Sequence, residues 1–166
     1  MKEKTRQAFL KAYDEHADAI YRHCYFRLLS KDKAEELVQE TFLKTWQYLD
    51  AGNAVDNLRP FLYRVATNLI IDYVRKKKED SLDAKLEVNP LDEPVGSDHH
   101  DIERSADLSL VKEALAEMPQ EERDIITMRY LDDMDPREIA EIMDISPNYV
   151  SVKLNRAVAK LKLKLQ

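Results

Sequence analysis

Two capped helix starts in quick succession, in the stretch 135–163 (DPREIAEIMDISPNYVSVKLNRAVAKLKL), constrain the fold more than any other feature of this chain. Asp135 is a good N-cap, and Pro136 suits the first helical position, where its missing N–H is not needed. Glu138 stands where a capping-box carboxylate reaches back, and Met134 and Ile139 are placed for a hydrophobic staple. Ser146 and Pro147 repeat the pattern, with Ile145 and Val150 as the second staple pair. Between the starts lie a short helix, 137–143, and a tight connection, 144–146. A short helix, a brief turn and a longer helix make a helix-turn-helix. Ile139, Ala140, Met143, Ile145, Val150 and Leu154 close one small core, with Ala140 permitting close approach of crossed helices. Asp144 occupies the turn where such units often carry Gly, and Asp adopts a left-handed backbone less cheaply.

On the longer helix, Ser151, Val152 and Asn155 fall near one side, suited to base edges. Lys153, Arg156, Lys160, Lys162 and Lys164 offer charge for phosphates. The same capping pattern also fits an ordinary pair of helices in a bundle with a solvated basic tail. Locally, both readings stand.

The remainder of the chain reads as all-α. It has 166 residues, enough for one or two small domains, only two glycines (Gly52 and Gly96), and few alternating strand-like runs. No apolar run approaches a membrane span and no signal-peptide core opens the sequence, so a cytoplasmic chain without membrane insertion is expected. The single cysteine, Cys24, excludes an internal disulfide and, set in an aromatic-rich run, is expected in the core.

The net charge of −6 hides an uneven distribution. Residues 1–78 carry 15 Lys and Arg against 11 Asp and Glu; 79–106 carry 2 against 9; 107–166 carry 9 against 12. Basic charge is local, at 75–78 and 153–164, and screening over about 8 Å at cellular salt makes local patches matter more than the total. The acidic stretch 79–106, with prolines, a glycine and no helical stripe, reads as a linker. His99 and His100 within it lack the companions and spacing of a metal site, so no metal and no cofactor is expected.

Ahead of the linker, three helices are expected over 5–29, 33–49 and 59–78, with a loop at 50–57 and an optional fourth turn around 82–86. Trp46 is read as mainly core. Beyond the linker, helices over 108–117 and 121–131, broken at Pro119, are expected to pack Leu110, Val111, Leu115, Ile125, Ile126, Met128 and Tyr130 against the helix-turn-helix.

The runs KAEELVQETFLKTWQYL, RPFLYRVATNLIIDYVRKKK and ALAEMPQEERDIITMRYLDDMDPREIAEIMDISPNYVSVKLNRAVAKL resemble bacterial RNA polymerase sigma factors of the extracytoplasmic-function (ECF) class. The resemblance covers nearly everything outside the linker, with two motif blocks in order. It implies two small helical domains: a sigma-2-like domain of three or four helices at 1–78 and a sigma-4-like four-helix domain at 107–166, joined by the acidic linker 79–106. It also implies a non-enzymatic transcription initiation factor. Such a subunit binds core polymerase, selects promoters and assists strand opening.

By the same resemblance, Glu36, Leu37, Gln39 and Glu40 meet the β′ clamp helices of core polymerase. The loop 51–57, with Asn57, forms a pocket for an unstacked base of the −10 element, with Asn68 near the DNA and Arg64, Arg75, Lys76 and Lys77 on phosphates. Pro147, Asn148, Ser151, Val152, Lys153, Asn155 and Arg156 belong to the −35 surface, while the domain carrying them rests on the β flap. Ser151 departs from a commonly basic position and Val158 from a frequent Arg, which shifts weight towards DNA shape. The linker is implied to thread the RNA-exit path, and an anti-sigma protein is an expected partner.

Two other readings use the same helices. A stand-alone helix-turn-helix regulator has no need of the EELVQE block, and no dimerisation helix is evident. A protein-binding adaptor predicts no DNA effect from changing Ser151, Asn155 or Arg156. An enzyme finds no phosphate loop, nucleophile elbow or metal-ligand spacing.

Overall fold

The computed structural model describes residues 1–84 and 106–166, with side chains for 1–81 and 109–166. Within them the fold is all-α. Three long helices come first: α1 (Glu3–Leu28), α2 (Lys31–Asp50) and α3 (Leu58–Ala84). After the undescribed segment come α4 (Ala106–Ala116), α5 (Gln120–Ile126) running into a π-helical turn (Thr127–Leu131), then α6 (Pro136–Met143) and α7 (Pro147–Leu165).

Local chemistry sets most of these boundaries. α1 ends where Leu29 takes a left-handed backbone (φ 54°) and its N–H returns to the Tyr25 carbonyl. One residue later the Ser30 hydroxyl accepts the Lys33 N–H and starts α2. Thr41 and Thr45 are buried in α2 because their hydroxyls bond back to the Leu37 and Thr41 carbonyls, which makes them effectively apolar. α1, α2 and α3 pack around Phe9, Ile20, Phe26, Leu37, Phe42, Leu62, Ala66 and Ile70. Trp46 is half-buried and meets Phe9 edge-on at 5.1 Å, so it closes that core as expected. Cys24 is fully buried.

Four expectations need correction. The third helix does not stop at residue 78 but continues to Ala84, through a stretch in which Glu79, Leu82 and Ala84 are good helix formers even without an apolar stripe. The optional turn around 82–86 is partly the end of α3; its remainder, and most of the expected linker 79–106, lies outside the described residues. The single helix expected over 121–131 changes at Thr127 into a π-helical turn. Leu110 and Tyr130, expected in the second core, are 54% and 60% exposed, while Leu115, Ile125, Ile126 and Met128 do build it.

Candidate nucleic-acid interface

The helix-turn-helix forms as its caps require. The Asp135 carboxylate accepts the Glu138 N–H at 2.9 Å, and the Ser146 hydroxyl accepts the Tyr149 N–H at 3.1 Å. Asp144 takes the left-handed turn (φ 57°, ψ 48°). Ile139, Ala140 and Val150 are buried between α6 and α7. The Glu138 side chain, expected to close a capping box, turns instead to Arg59 of α3, 3.8 Å away.

α7 presents an open face. Pro147, Asn148, Val152, Asn155 and Arg156 are exposed and Ser151 is half-exposed. A shallow groove between the starts of α6 and α7 is lined by Asp135, Pro136, Arg137, Pro147, Asn148 and Ser151. The basic residues divide into two groups. Lys153 lies 3.8 Å from Glu121, Lys160 2.9 Å from Glu122, and Lys164 2.6 Å from Glu117, so all three fasten α7 to the preceding helices. Lys160 and Lys164, expected to offer charge for phosphates, each already neutralise a carboxylate here, as Lys153 does. Arg156 and Lys162 make no ion pair among the described residues. The Tyr149 hydroxyl donates to Glu121 at 2.5 Å, which raises its pKa.

The second surface surrounds the start of α3. The loop 51–57 is largely exposed, with Gly52 supplying a positive φ of 95°. Asn57 accepts the Arg59 N–H through its side chain at 3.2 Å, and so also caps α3. Arg64 and Asn68 lie exposed on one side of α3. Arg75 pairs with Asp72 at 3.3 Å, Lys76 is exposed, and Lys77 lies 5.9 Å from the Tyr73 ring centre. The third surface is α2: Glu36 and Gln39 are exposed and Glu40 half-exposed, whereas Leu37 is only 4% exposed. Leu37 anchors this face from beneath and does not lie on it.

Two blocks of the chain match family models: residues 12–79 match Sigma-70 region 2, and residues 108–161 match Sigma-70, region 4. The ECF RNA polymerase sigma factor SigW of Bacillus subtilis is 30% identical, with the alignment covering 100% of this chain and 93% of that protein. The chain belongs to the ECF sigma factors. SigM of the same bacterium is 33% identical over 90% of both chains. Among solved structures, the sigma factor RpoE in complex with the anti-sigma factor NepR from Bartonella quintana has a similar fold. It shares 23% identity at a TM-score of 0.80 over 96% of this chain and 97% of that one. The fold of CnrH, solved with the cytosolic domain of CnrY, is also similar, at 21% identity and TM-score 0.67, over 96% and 88%.

This sigma factor is thus a promoter-specific transcription initiation factor, and among its described residues no helix is long and apolar enough to cross a membrane. Its structure also holds a buried polar cluster that sequence reasoning missed. His23 and Arg27 sit one turn apart on α1 and are both 0% exposed. Arg27 Nε donates to Asp124 at 2.8 Å, and Arg27 Nη1 donates to the Thr67 hydroxyl at 3.1 Å. Arg27 Nη1 also lies 3.0 Å from His23 Nε2, which fits the tautomer protonated at Nδ1, and Nδ1 donates to Asp132 at 2.5 Å. The partners lie 97 and 109 residues apart in sequence. The available signal was local: His23 and Arg27 share a helical stripe with Ile20 and Cys24, where a charge has no business without a partner. Burial, with Asp132 adding to it, pushes the Cys24 thiol and the Tyr63 hydroxyl each up to about 12.

Proposed function

We propose that the three surfaces divide one task. The exposed Glu36, Gln39 and Glu40 dock α2 on the β′ clamp helices of core polymerase. The loop 51–57, with Asn57, Arg64, Asn68, Arg75, Lys76 and Lys77, holds the −10 element and captures a base that has left the stack, assisting strand opening. Unstacking costs a few kcal/mol per base, so a pocket and phosphate contacts that offset it are the useful contribution of this surface. The block α4–α7 rests on the β flap and reads the −35 element through Pro147, Asn148, Ser151, Val152 and Asn155, with Arg156 on phosphate and Lys153 reaching it from its place beside Glu121.

The observation that carries this reading is the open face of α7, held by two intact caps, together with the open acidic and amide face of α2. An operator-binding regulator explains the first face and leaves the second without a use. In this reading the chain performs no chemistry of its own, works in the cytoplasm, and is held by an anti-sigma protein, as RpoE of Bartonella quintana is in its complex with NepR.

Co-purification with core polymerase tests the docking surface. The parent chain is expected to retain polymerase, and the double variant Glu36→Lys, Glu40→Lys to lose it while keeping its helical circular dichroism. Undiminished retention would remove α2 from the interface.

A further inference from the structure

The last turn of α2 leaves an aromatic ring open to water beside the loop 51–57. Tyr48 is 42% exposed, while its neighbours Thr45 and Leu49 are buried. Its ring leans on that of Phe61, in the first turn of α3, with centroids 5.0 Å apart and planes inclined by 36°. The Tyr48 hydroxyl makes no hydrogen bond among the described residues, so no polar contact accounts for this ring's position. The loop is tied to the same helix end: Asn53 Nδ2 donates to the Tyr48 carbonyl at 3.0 Å, and the Gly52 N–H to the Leu49 carbonyl at 3.1 Å. Phe61 also lines a groove of about 420 Å³ with Val55 and Asn57 of the loop and Arg64 of α3. Phe61, Arg64 and Asn68 follow at spacings of three and four residues, and so share one face of α3.

We propose that Tyr48, backed by Phe61, is the stacking platform on which an unpaired base of single-stranded DNA rests once it has left the duplex. The inference deepens the proposed role of the loop 51–57 and the start of α3, and rests on it. It adds to that surface two aromatic residues, one from each flanking helix, that sequence reasoning did not assign to it.

A base loses its stacked neighbours when strands part, and an aromatic ring held on one side and bare on the other replaces one of them. Phe61 supplies the hold: a ring already pinned loses little freedom when a base settles on its open side. The groups needed around a stacked base stand nearby. Asn57 Oδ1 is taken by the Arg59 N–H, which leaves its amide N–H groups for a base edge. Arg64 is exposed on the stripe that begins at Phe61, and its pair with Glu141, at 3.5 Å in solvent, is too weak to keep it from a phosphate. Stacking is tolerant of sequence, so the platform captures a base without choosing it. Packing alone explains the side of Tyr48 that covers Phe61 and gives the open side nothing to do.

The test measures binding of two fluorescent probes by the full chain, alone and on core polymerase. One probe is a twenty-nucleotide oligothymidylate; the other is an abasic strand of equal length, which keeps the phosphates and sugars and has no bases. Tyr48→Ala should weaken oligothymidylate binding by roughly 5- to 150-fold, the span for removing the partner of one stacked base, and leave the abasic strand unaffected. Tyr48→Phe keeps the ring and should match the parent on both probes. Arg64→Ala should weaken both and lower the salt slope by about 0.7. Equal losses on the two probes with Tyr48→Ala, or no loss on oligothymidylate, overturn the platform, as does a parent chain that binds oligothymidylate no tighter than the abasic strand. If Tyr48→Ala loses its helical circular dichroism, photocrosslinking of the parent chain with 5-iodouracil in place of thymine decides: attachment at Tyr48 supports the platform, and attachment only elsewhere overturns it. A loss with Arg64→Ala and none with Tyr48→Ala strikes the platform alone. No loss with either removes the whole surface from DNA binding, so the two failures can be told apart.

Discussion

Arg123→Met removes a clamp whose strength can be reasoned from four distances. Arg123 is 8% exposed; its Nε donates to the Leu115 carbonyl at 2.9 Å, and its Nη2 donates to the Ala116 and Met118 carbonyls, both at 3.2 Å. Its Nη1 reaches the Arg27 carbonyl, also at 3.2 Å. The last carbonyls of a helix have no partner within it, so Arg123 supplies what the end of α4 lacks and ties the end of α1 to the same point. Charge-assisted bonds contribute about 1.5–3 kcal/mol each before the guanidinium's lost hydration is subtracted. That subtraction is substantial here, because burial lowers the Arg123 pKa. Leaving a buried carbonyl without a donor costs about 1–3 kcal/mol, so losing the donor to several of them costs about 3–5 kcal/mol after that subtraction. With a urea slope of about 2 kcal/mol per molar, the middle of the usual range, the unfolding midpoint should fall by roughly 1.5–2.5 M. Circular dichroism against urea measures it. Arg123→Lys should recover less than half, since an ammonium cannot fork to carbonyls on two sides. A midpoint for the Met variant within about 0.4 M of the parent would refute the reasoning and mean that water satisfies those carbonyls equally well.

Other consequences are nearer the surface or the pH scale. Cys24 should resist thiol reagents in the native chain near pH 8 and react fully on unfolding. Because folding raises its pKa from the ordinary 9.0 to about 12, its contribution to stability is complete below pH 9 and is lost as pH rises towards 12, about 4 kcal/mol in all. Urea midpoints taken from pH 8 to 11 should therefore fall, and a flat profile would contradict the burial of this thiol. Asp144→Gly should stabilise the helix-turn-helix by about 0.5–1 kcal/mol, since Asp144 carries a φ of 57° that Gly adopts without strain; thermal melts decide this. On duplex promoter DNA, Arg156→Ala should weaken binding to all sequences alike and reduce the salt slope by about 0.9. Asn155→Ala should instead relax preference at one base position, by about 1–3 kcal/mol in competition binding.

What could be read in advance was whatever a few neighbouring residues decide together. Asp135 with Pro136, and Ser146 with Pro147, announced both helix starts because a cap and its N–H lie three residues apart. The stripe of Phe9, Ile20, Cys24 and Leu28 announced a buried face of α1 for the same reason. The continuation of α3 to Ala84 escaped, since a charged run reads as a boundary by composition while its residues still favour helix. The ion pairs of Lys160 and Lys164 escaped differently: no local pattern gives them, because only folding brings Glu122 and Glu117 beside them. The His23 and Arg27 contacts were beyond local patterns altogether, as their partners Asp132 and Asp124 belong to the other block. Leu37 shows the same limit within a motif, where the resemblance marks a segment and only packing separates the residue beneath the face from those upon it.

The most direct measurement is run-off transcription by bacterial core polymerase on fragments of the host genome, with and without this sigma factor. The account predicts new, factor-dependent start sites that share upstream sequences, and their loss with Glu36→Lys, Glu40→Lys. Start sites that are the same in its presence and absence, from polymerase that does not bind it, would contradict the account.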